Sequence, residues 1–318
     1  MPGLAKRLSE AGVLGINARN ALYMLPHNPR RLYPLADDKL RTKEIAQKVG
    51  IQVPELYAVV ASPGEVGGLH AALAGRDDFV VKPAHGSGGE GIVVVTGRVG
   101  DNYRLSDGTV MDRAEMDFHL NNLLSGIYSL GGQTDKALVE YRVRFNPVFE
   151  KVAYQGVPDV RIVVYFGYPV MAMVRLPTRA SRGRANLHQG AIGAGVDIAT
   201  GTTLTAVLKT GIVAEHPDTG HPVSGICVPH WQALLDIAAR SWELTGLAYQ
   251  GVDIVLDRDR GPLVLELNAR PGLAIQIANR AGLRRRLDLV EKAGGGAVAP
   301  TAAERVAFAK ARFAAVGA

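Results

Sequence analysis

The sequence has 318 residues, 47% hydrophobic and 21% charged, a balance typical of a globular chain with more than one packed core. A single cysteine, Cys227, excludes a disulfide framework and cysteine-based metal sites, and it favours a reducing, cytoplasmic setting. The formal charge of +6 favours anionic partners, but aromatic residues make up only 6% and argue against a nucleic-acid surface. No export segment or membrane span is predicted, because no apolar run is long enough.

In the N-terminal part, LAKRLSEAGVLG predicts a short helix that ends at Gly12 or Gly15. LPHNPRRLYP predicts an extended connector, because prolines interrupt helices. A helix is predicted to begin after Asp37 or Asp38, which caps it, and to end at Gly50. Its first turns carry Lys39 and Lys43, and lysines at such positions are ordinarily solvated.

The next motif is a glycine-rich loop between two predicted strands, at residues 79–82 and 92–96. Glycines allow consecutive N–H groups to approach phosphate oxygens closely. Because a strand follows the loop, both helix-dependent phosphate motifs are excluded. The loop at residues 86–91 is therefore either a flap over phosphates, with Lys82 at its base, or a plain β-hairpin with a mobile tip.

The middle of the chain alternates predicted strands and helices. Residues 112–125 predict a helix with a capping box, ALVEYRV predicts a strand, and RIVVYF and VMAMVRL predict a hairpin that carries Asp159, Arg161 and Arg175. Residues 178–195 predict a long basic loop whose Arg184, Asn186 and His188 suit anionic oxygens, or else a flexible surface loop. An amphipathic helix follows at residues 230–246.

Residues 251–272 predict a second hairpin with oxygen-bearing side chains. If residues 258–261 form the turn, Asp257 faces Pro262 and Asp253 faces Glu266, with Asn268 on the same face. Buried carboxylates need a partner, and oxygen ligands of this kind suit Mg²⁺. A register slip of one residue would instead place them on a solvated face. The last residues predict a linker and a basic helix that docks on the body.

The chain resembles the ATP-grasp ligases, and within them the RimK-like alpha-L-glutamate ligases, in the order of six motifs over residues 37–292. These are DDKLRTKEIAQKVGIQVPE, FVVKPAHGSGGEGIVV, ALVEY, DVRIVVY, RANLHQGA and GVDIVLDRDRGPLVLELNARPGL. The resemblance implies an α+β ATP-grasp fold in which two α+β subdomains hold ATP between them. It divides the chain into an N-terminal extension at 1–36, a central subdomain at 37–141, a C-terminal subdomain at 142–292, and a linker and helix at 293–318.

The resemblance also implies roles for individual residues. Contacts with ATP are implied for Lys39, Lys82, Gly86, Ser87, Gly88, Gly89, Glu90 and Gly91, and contacts with adenine through the strand that contains Glu140, Tyr141 and Val143. Mg²⁺ or Mn²⁺, as two ions, would be held by Asp253, Glu266 and Asn268. The γ-phosphate and an acyl-phosphate would be surrounded by Arg161, Arg175, Arg184 and Asn186, with substrate contacts from His188 and Arg270.

The implied activity is ATP-dependent carboxylate–amine ligation, in which an amino acid such as glutamate joins a peptide, protein or metabolite carboxylate. A kinase and a non-catalytic nucleotide-binding module are the alternatives, and homo-oligomers are common among such ligases. Three features depart from the family pattern: a short N-terminal region, Arg270 in place of a small residue, and a long segment at 142–158. In that segment, Glu150 is the candidate ribose ligand.

Overall fold

Two antiparallel sheets form most of the protein, whose computed structural model describes residues 3–86, 88–129, 131–297 and 300–315. The smaller sheet has the strand order β1-β6-β2-β3-β4-β5. Its strands are β1 (Leu56–Val60), β2 (Phe79–Pro83), β3 (Val93–Val99), β4 (Asn102–Leu105), β5 (Val110–Met111) and β6 (Ala137–Glu140).

The larger sheet has the strand order β11-β10-β9-β8-β7-β12-β13. Its strands are β7 (Asp159–Tyr165), β8 (Tyr168–Leu176), β9 (Ile192–Val196), β10 (Thr203–Leu208), β11 (Gly211–Val213), β12 (Tyr249–Asp257) and β13 (Gly261–Asn268). Strands β7, β8 and β12 are almost wholly buried, in line with their continuous aliphatic sequence.

Ten α-helices are found in the described ranges: α1 (Leu4–Glu10), α2 (Ile16–Arg19), α3 (Pro34–Asp37), α4 (Lys39–Lys48), α5 (Leu69–Ala72), α6 (Arg113–Leu124), α7 (Trp231–Thr245), α8 (Ile275–Ala278), α9 (Arg284–Lys292) and α10 (Ala302–Arg312). The predicted caps are confirmed for α4, where Asp38 accepts two backbone N–H bonds, and for α6, where Asp112 and Glu115 form the capping box. In the part of the chain that the structure describes, no helix has the length and apolarity needed to cross a bilayer.

Three predicted boundaries are wrong. The predicted extended connector contains a 3₁₀ turn at Arg30–Leu32 and helix α3, because Pro29 and Pro34 precede or begin these turns, where a proline is tolerated. The predicted strand through Val143 ends at Glu140, where the chain leaves the smaller sheet for the larger one. The predicted loop at 178–195 gives way to β9 at Ile192.

Two main hydrophobic cores lie under the sheets. One contains residues of β1–β6 and α6, and the other contains the larger sheet with α7, α9 and α10. Ala46 of α4, together with Ile51 and Val53, belongs to the larger core, although the sequence assigned residues 37–141 to the central subdomain. Leu14 and Tyr23 pack there too, so the N-terminal segment is part of the same body. The division into subdomains stays a prediction.

Helix α10 docks on α7 and β8, as predicted, and a buried arginine fixes it there. Arg305 is only 1% exposed. Its guanidinium donates to the backbone oxygens of Gly167 at 3.2 Å, Ala239 at 3.2 Å and Pro300 at 2.6 Å, and it pairs with Glu243. This one side chain therefore satisfies carbonyl groups from three separate parts of the chain.

Replacing this arginine is expected to destabilise the protein strongly. Arg305→Leu keeps apolar volume but leaves buried carbonyls without donors, each costing about 1–3 kcal/mol, so we expect a loss of about 3–5 kcal/mol in the free energy of unfolding. Urea denaturation measures this change. Arg312→Leu, at an exposed position on the same helix, is the control and should change stability by less than about 0.5 kcal/mol. Equal losses in both variants would contradict the role given to Arg305.

Candidate functional site

The hairpin of β12 and β13 carries the three predicted metal ligands. The sequence predicts Asp257 opposite Pro262 and, along a regular ladder, Asp253 opposite Glu266. In the structure Asp257 pairs with Gly261, so the predicted register is wrong by one residue at the turn. Asp253 nevertheless pairs with Glu266. A regular ladder cannot contain both pairs, so the hairpin has an irregularity that the sequence did not predict.

A β-bulge at Leu265 reconciles the two pairings. Ile254 pairs with Val264 and Asp253 with Glu266, which leaves Leu265 as the extra residue. Because side chains alternate between the faces of a strand, a regular β13 would turn Glu266 away from Asp253. The bulge therefore brings the two carboxylates to one face.

Asn268 shares this face and connects the two acids. Its Nδ2 donates to Oδ2 of Asp253 at 3.1 Å and lies 3.4 Å from Oε1 of Glu266. The other carboxylate oxygen of Glu266, Oε2, is 3.2 Å from Nζ of Lys39. The three side chains thus converge, and their role as metal ligands stays a prediction.

Two arginines from neighbouring strands hold Asp253. Arg161 lies opposite it on β7 and donates from Nε to Oδ1 at 2.7 Å and from Nη2 to Oδ2 at 2.5 Å. Arg175 on β8 donates to Oδ2 of Asp253 at 2.7 Å and forms a two-bonded ion pair with Asp159. Sequence reasoning gave no role to Asp159, although it lies two residues before Arg161 and so shares its face.

Burial and charge act in opposite directions on these two aspartates. Burial tends to raise the pKa of Asp253, but Arg161 and Arg175 outweigh it, and the pKa lies below its usual range. Burial raises the pKa of Asp159, and Arg175 offsets only part of that effect. Asp253 is therefore ionised at neutral pH and is the counter-ion of two arginines.

A second buried cluster joins α4 to the smaller sheet. The Glu140 carboxylate pairs with Lys82 of β2 and, at 2.7 Å, with Lys43 of α4, and all three residues are at least 94% buried. Burial tends to raise the pKa of Glu140, but the two ammonium groups lower it overall. Sequence reasoning treated Lys43 as a solvated lysine, and of this cluster it gave nucleotide contacts only to Lys82 and to the strand that contains Glu140. The signal that could have identified Lys43 is its spacing of three residues from the apolar Ala46, on one helix face.

The Lys43 cluster predicts a pH-dependent stability. Burial lowers the pKa of Lys43 to about 8 from its usual 10.5, so between these values the unfolded chain binds more protons than the folded one. The free energy of unfolding contributed by this group therefore rises with pH from about 8 to about 10.5. Urea denaturation of the parent chain and of Lys43→Met across this range should show a difference that grows with pH. The same comparison with Lys48→Met, an exposed lysine of α4, should show a constant difference.

The glycine-rich loop lies against the basic loop of the larger sheet. Gly88, Gly89 and Gly91 adopt positive φ values of 66°, 78° and 72°, which side chains rarely allow. A β-carbon at Gly89 would lie 3.3 Å from Cδ of Arg184, and one at Gly88 would lie 3.3 Å from Nδ2 of Asn186. The flap is thus closed onto the loop that carries the predicted phosphate ligands.

The base of the flap is tied to the other clusters. Nζ of Lys39 donates to the carbonyl oxygen of Gly86 at 2.6 Å, so this lysine connects the flap to Glu266. His85, which sequence reasoning missed, bonds through Nδ1 to Asp135 at 2.8 Å. Glu90 is exposed at the tip. The predicted phosphate contact Ser87 lies outside the described residues.

The remaining predicted residues lie on the basic loop, just after β13 and in the segment between β6 and β7. His188 is exposed on the basic loop, where its backbone N–H donates to Oδ1 of Asn186 at 3.0 Å. The Arg270 guanidinium lies over the ring of Tyr33 at 4.9 Å, so it faces the N-terminal segment. Glu150, the candidate ribose ligand, is exposed and pairs with Arg258 at 3.2 Å. These positions do not test the three predicted substrate or ribose contacts.

A small, mostly buried apolar cluster continues the hairpin face beyond the acids. Val255 lies two residues from Asp253 and packs with Leu263, Tyr141 and Val143, and the bulge residue Leu265 borders the same cluster. The less buried edge of this cluster, at Tyr141, Val143 and Leu265, is the part that a flat apolar ring such as adenine would contact. The adenine contacts predicted for Tyr141 and Val143 stay predictions.

A lysine-bearing helix, a closed glycine flap and a bulged acidic hairpin thus meet between two antiparallel sheets. A profile of the sugar-transfer associated ATP-grasp family matches residues 18–292. The chain belongs to this ATP-grasp family. The predicted α+β ATP-grasp fold is confirmed, and the match begins earlier than residue 37, within the segment predicted to be an extension.

Curated relatives of this ATP-grasp protein are ligases. A probable alpha-L-glutamate ligase of Pectobacterium carotovorum is 27% identical over 273 residues, which covers 86% of this chain and 68% of the relative. A ribosomal protein bS6–L-glutamate ligase of Salmonella paratyphi B is 26% identical over the same number of residues, and the alignment covers 69% of that relative. The predicted similarity to RimK-like alpha-L-glutamate ligases is confirmed.

Solved ATP-grasp structures are more distant. The ligase PsnB with a minimal precursor has 16% sequence identity to this chain and a TM-score of 0.43. D-cycloserine synthetase DcsG has 19% sequence identity and a TM-score of 0.44. The D-alanine–D-alanine ligase of Coxiella burnetii has 14% sequence identity and a TM-score of 0.42. The alignments cover 84%, 83% and 88% of this chain, but 62%, 72% and 58% of the respective structures. At these TM-scores they support no inference about the site.

The ATP-grasp fold implies a divalent cation, and the hairpin offers donors for one. Within the described ranges, no group of three or more His, Cys, Asp or Glu side chains is placed to hold a metal. The candidate set has two carboxylates and the amide oxygen of Asn268, and Mg²⁺ accepts few protein oxygens together with phosphate oxygens and water. Glu266 is 28% exposed on its side chain, whereas Asp253 is buried under its arginines. The residues therefore fit Mg²⁺ best through Glu266, joined by Asn268 when its amide turns to present the oxygen in place of Nδ2, which now faces both acids.

Proposed function

We propose that this ATP-grasp protein is an ATP-dependent carboxylate–amine ligase. The observation that carries the proposal is the bulged hairpin, which places Glu266 and Asn268 beside Asp253 and its arginines. Acidic oxygens for a cation and guanidinium groups for an anion thus lie on one face, which phosphoryl transfer requires. The relationship to glutamate ligases supports the same reaction class.

ATP would lie between the two sheets, with its base against the less buried edge of the apolar cluster, at Val143 and Leu265. Lys39 and Lys82 would face the phosphates as point charges, and the N–H groups of the flap would bond phosphate oxygens. Glu140 holds Lys82 and Lys43 in place by ion pairs. This chain would therefore orient the triphosphate largely through fixed positive groups, without a nucleophilic side chain.

In the reaction, a substrate carboxylate oxygen attacks the γ-phosphorus, the bond to the β-phosphate oxygen breaks, and ADP leaves. An amine then attacks the carbonyl carbon of the acyl-phosphate, and an amide forms while phosphate and a proton are released. Arg161, Arg175, Arg184 and Asn186 would donate to the transferred group. The bonds to Asp253 use two of the five N–H donors of Arg161, so its fixed guanidinium retains donors for an anion.

Mg²⁺ or Mn²⁺, bound as two ions, would neutralise the phosphate charge and orient the γ-phosphoryl group. Glu266 and Asn268 would hold it, and Asp253 would stand beside them. Lys39 would move from Glu266 to the phosphates, since its ammonium now occupies Oε2 at 3.2 Å.

We further propose an amino acid such as glutamate as the amine, and a peptide, protein or small-molecule carboxylate as the acceptor. The exposed His188 and Arg270 border the site from the basic loop and the N-terminal side, where an acceptor would enter. The single, exposed Cys227 agrees with a reducing, cytoplasmic setting.

The test is a screen of amino acids paired with carboxylate acceptors, in which ADP, phosphate and amide product are measured together. A ligase releases ADP and phosphate in equal amounts and gives a dehydrated product by mass spectrometry, and EDTA abolishes all three signals. ADP release with a phosphorylated product and no free phosphate would identify a kinase. Nucleotide binding by calorimetry without turnover for any pair would identify a non-catalytic module, and either result would overturn the proposal.

A further inference from the structure

Exposed apolar side chains concentrate on one part of the surface. Of the fourteen large hydrophobic residues that are exposed in the described ranges, seven lie on residues 3–35 and 275–292. These seven are Leu8, Val13, Ile16, Leu22, Leu25, Ile277 and Leu289, with Leu25 64% and Ile16 62% exposed. Single exposed apolar residues are ordinary, but such a concentration marks a contact surface.

The two segments form one continuous surface, which we name the N-terminal face. The backbone N–H of Leu14 donates to Oε1 of Gln276 at 2.8 Å, and Nε2 of Gln276 donates back to the carbonyl oxygen of Leu14 at 3.0 Å. The N–H of Arg284 donates to the carbonyl oxygen of Gly12 at 3.1 Å. The N-terminal segment is thus fixed on α8 and α9 and presents its outer side chains beside theirs.

The N-terminal face also carries the positive charge of the chain. Residues 3–35 contain four exposed Lys or Arg against one Asp or Glu, and residues 275–292 contain four exposed Lys or Arg against two, so the face has an excess of five positive charges in a chain of net charge +6. Arg19, which is buried, and Arg286, which is largely buried, are left out of this count. Two of its acids bond tyrosine hydroxyls: Asp288 accepts from Tyr23 at 2.7 Å, and Glu291 accepts from Tyr165 at 2.8 Å. The rest of the chain is close to neutral.

We propose that the N-terminal face docks on an anionic phospholipid surface. Exposed apolar side chains interspersed with lysine and arginine are the pattern of interfacial membrane binding, in which the apolar groups enter the headgroup region and the basic groups meet lipid phosphates. A second copy of this chain would bring two strongly positive faces together, which like-charge repulsion opposes.

The face adjoins the proposed active site without including it. Nη1 of Arg19 donates to the carbonyl oxygen of Pro271 at 2.8 Å, three residues after Asn268. Docking would therefore hold the site close to the lipid surface. The proposal is independent of the reaction, because none of the residues on which it depends belongs to the proposed catalytic groups.

The experiment is co-sedimentation of the full chain with vesicles of phosphatidylcholine alone or with about one third phosphatidylglycerol. We expect binding to the anionic vesicles that falls as salt rises, and at least about tenfold weaker partitioning for Ile16→Ser/Leu25→Ser and for Lys6→Glu/Arg7→Glu. Phe118→Ser/Ile127→Ser, at positions 69% and 65% exposed elsewhere, is the apolar control. Arg104→Glu/Lys209→Glu is the charge control, and both controls should bind within about twofold of the parent.

Thermal unfolding of all four variants establishes that the substitutions leave the fold intact. Absence of binding to anionic vesicles, or equal losses in test and control variants, would overturn the proposal. So would equal binding to neutral vesicles, because the positive charge would then have no role. Light scattering supplies a further outcome: a concentration-dependent dimer that Ile16→Ser/Leu25→Ser abolishes would identify the face as a contact between copies and overturn the lipid proposal.

Discussion

Glu266→Gln is expected to reduce ATP-dependent phosphate release by on the order of 10³-fold while the fold stays intact, since a metal centre contributes several kcal/mol to such a reaction. The amide keeps an oxygen that can accept from Lys39, now 3.2 Å away, but it removes the charge that attracts a cation. Because the Glu266 side chain is 28% exposed, the free energy of unfolding should change by about 1 kcal/mol or less. Phosphate release and urea denaturation measure the two effects.

The matched control is Glu44→Gln, an exposed acid on α4, which should release phosphate at the parent rate. Magnesium titration separates binding from chemistry, because the variant should need a higher metal concentration for any residual activity. Unchanged phosphate release in Glu266→Gln would show that this carboxylate holds no catalytic ion.

Asp253→Asn is expected to lose both activity and stability. The side chain is fully buried and accepts bonds from Arg161, Arg175 and Asn268. Loss of its charge leaves two buried guanidinium groups with Asp159 as their remaining buried acid, and breaking such a cluster costs about 3–5 kcal/mol. Urea denaturation measures the loss, and the position of Arg161 and Arg175 would be disturbed with it.

Asp259→Asn, on the exposed turn of the same hairpin, is the control and should be as stable as the parent. The comparison with Glu266→Gln is informative, because the two acids face each other but have different partners. A stable and inactive Asp253→Asn would assign Asp253 to the cation, and the large stability loss expected here would assign it to the arginines.

The sequence predicted elements whose signals are local. The caps Asp38 and Asp112, the helix at Trp231–Thr245 and the strands on both sides of the glycine loop all follow from neighbouring residues. Such features depend on capping bonds and periodic burial within about a dozen residues, so one chain segment contains the whole signal. The family resemblance then supplied the arrangement of the sheets.

Features that depend on distant partners were missed. The burial of Lys43 depends on Glu140, which lies almost a hundred residues away in the chain. Asp159 acquired a role only because β7 and β8 place it opposite Arg175. The predicted extended connector is held in place by Asn28, whose side chain bonds both backbone groups of Tyr249 on β12, a distant partner that the prolines of the connector do not indicate.

By itself, the sequence determined the order of the motifs, the residue types at the site and the positions of most helices and strands, because each is written in a short stretch of chain. Only the tertiary structure decided which side chains meet. The bulge at Leu265 shows why, because a single extra residue reverses the face of Glu266. Its presence depends on how β13 pairs with β12 and on the segment between α4 and β1, where the carbonyl oxygen of Gln52 accepts from the N–H of Val264 at 2.9 Å. Side-chain identity is local, whereas register, burial and ion pairing are settled by the whole fold.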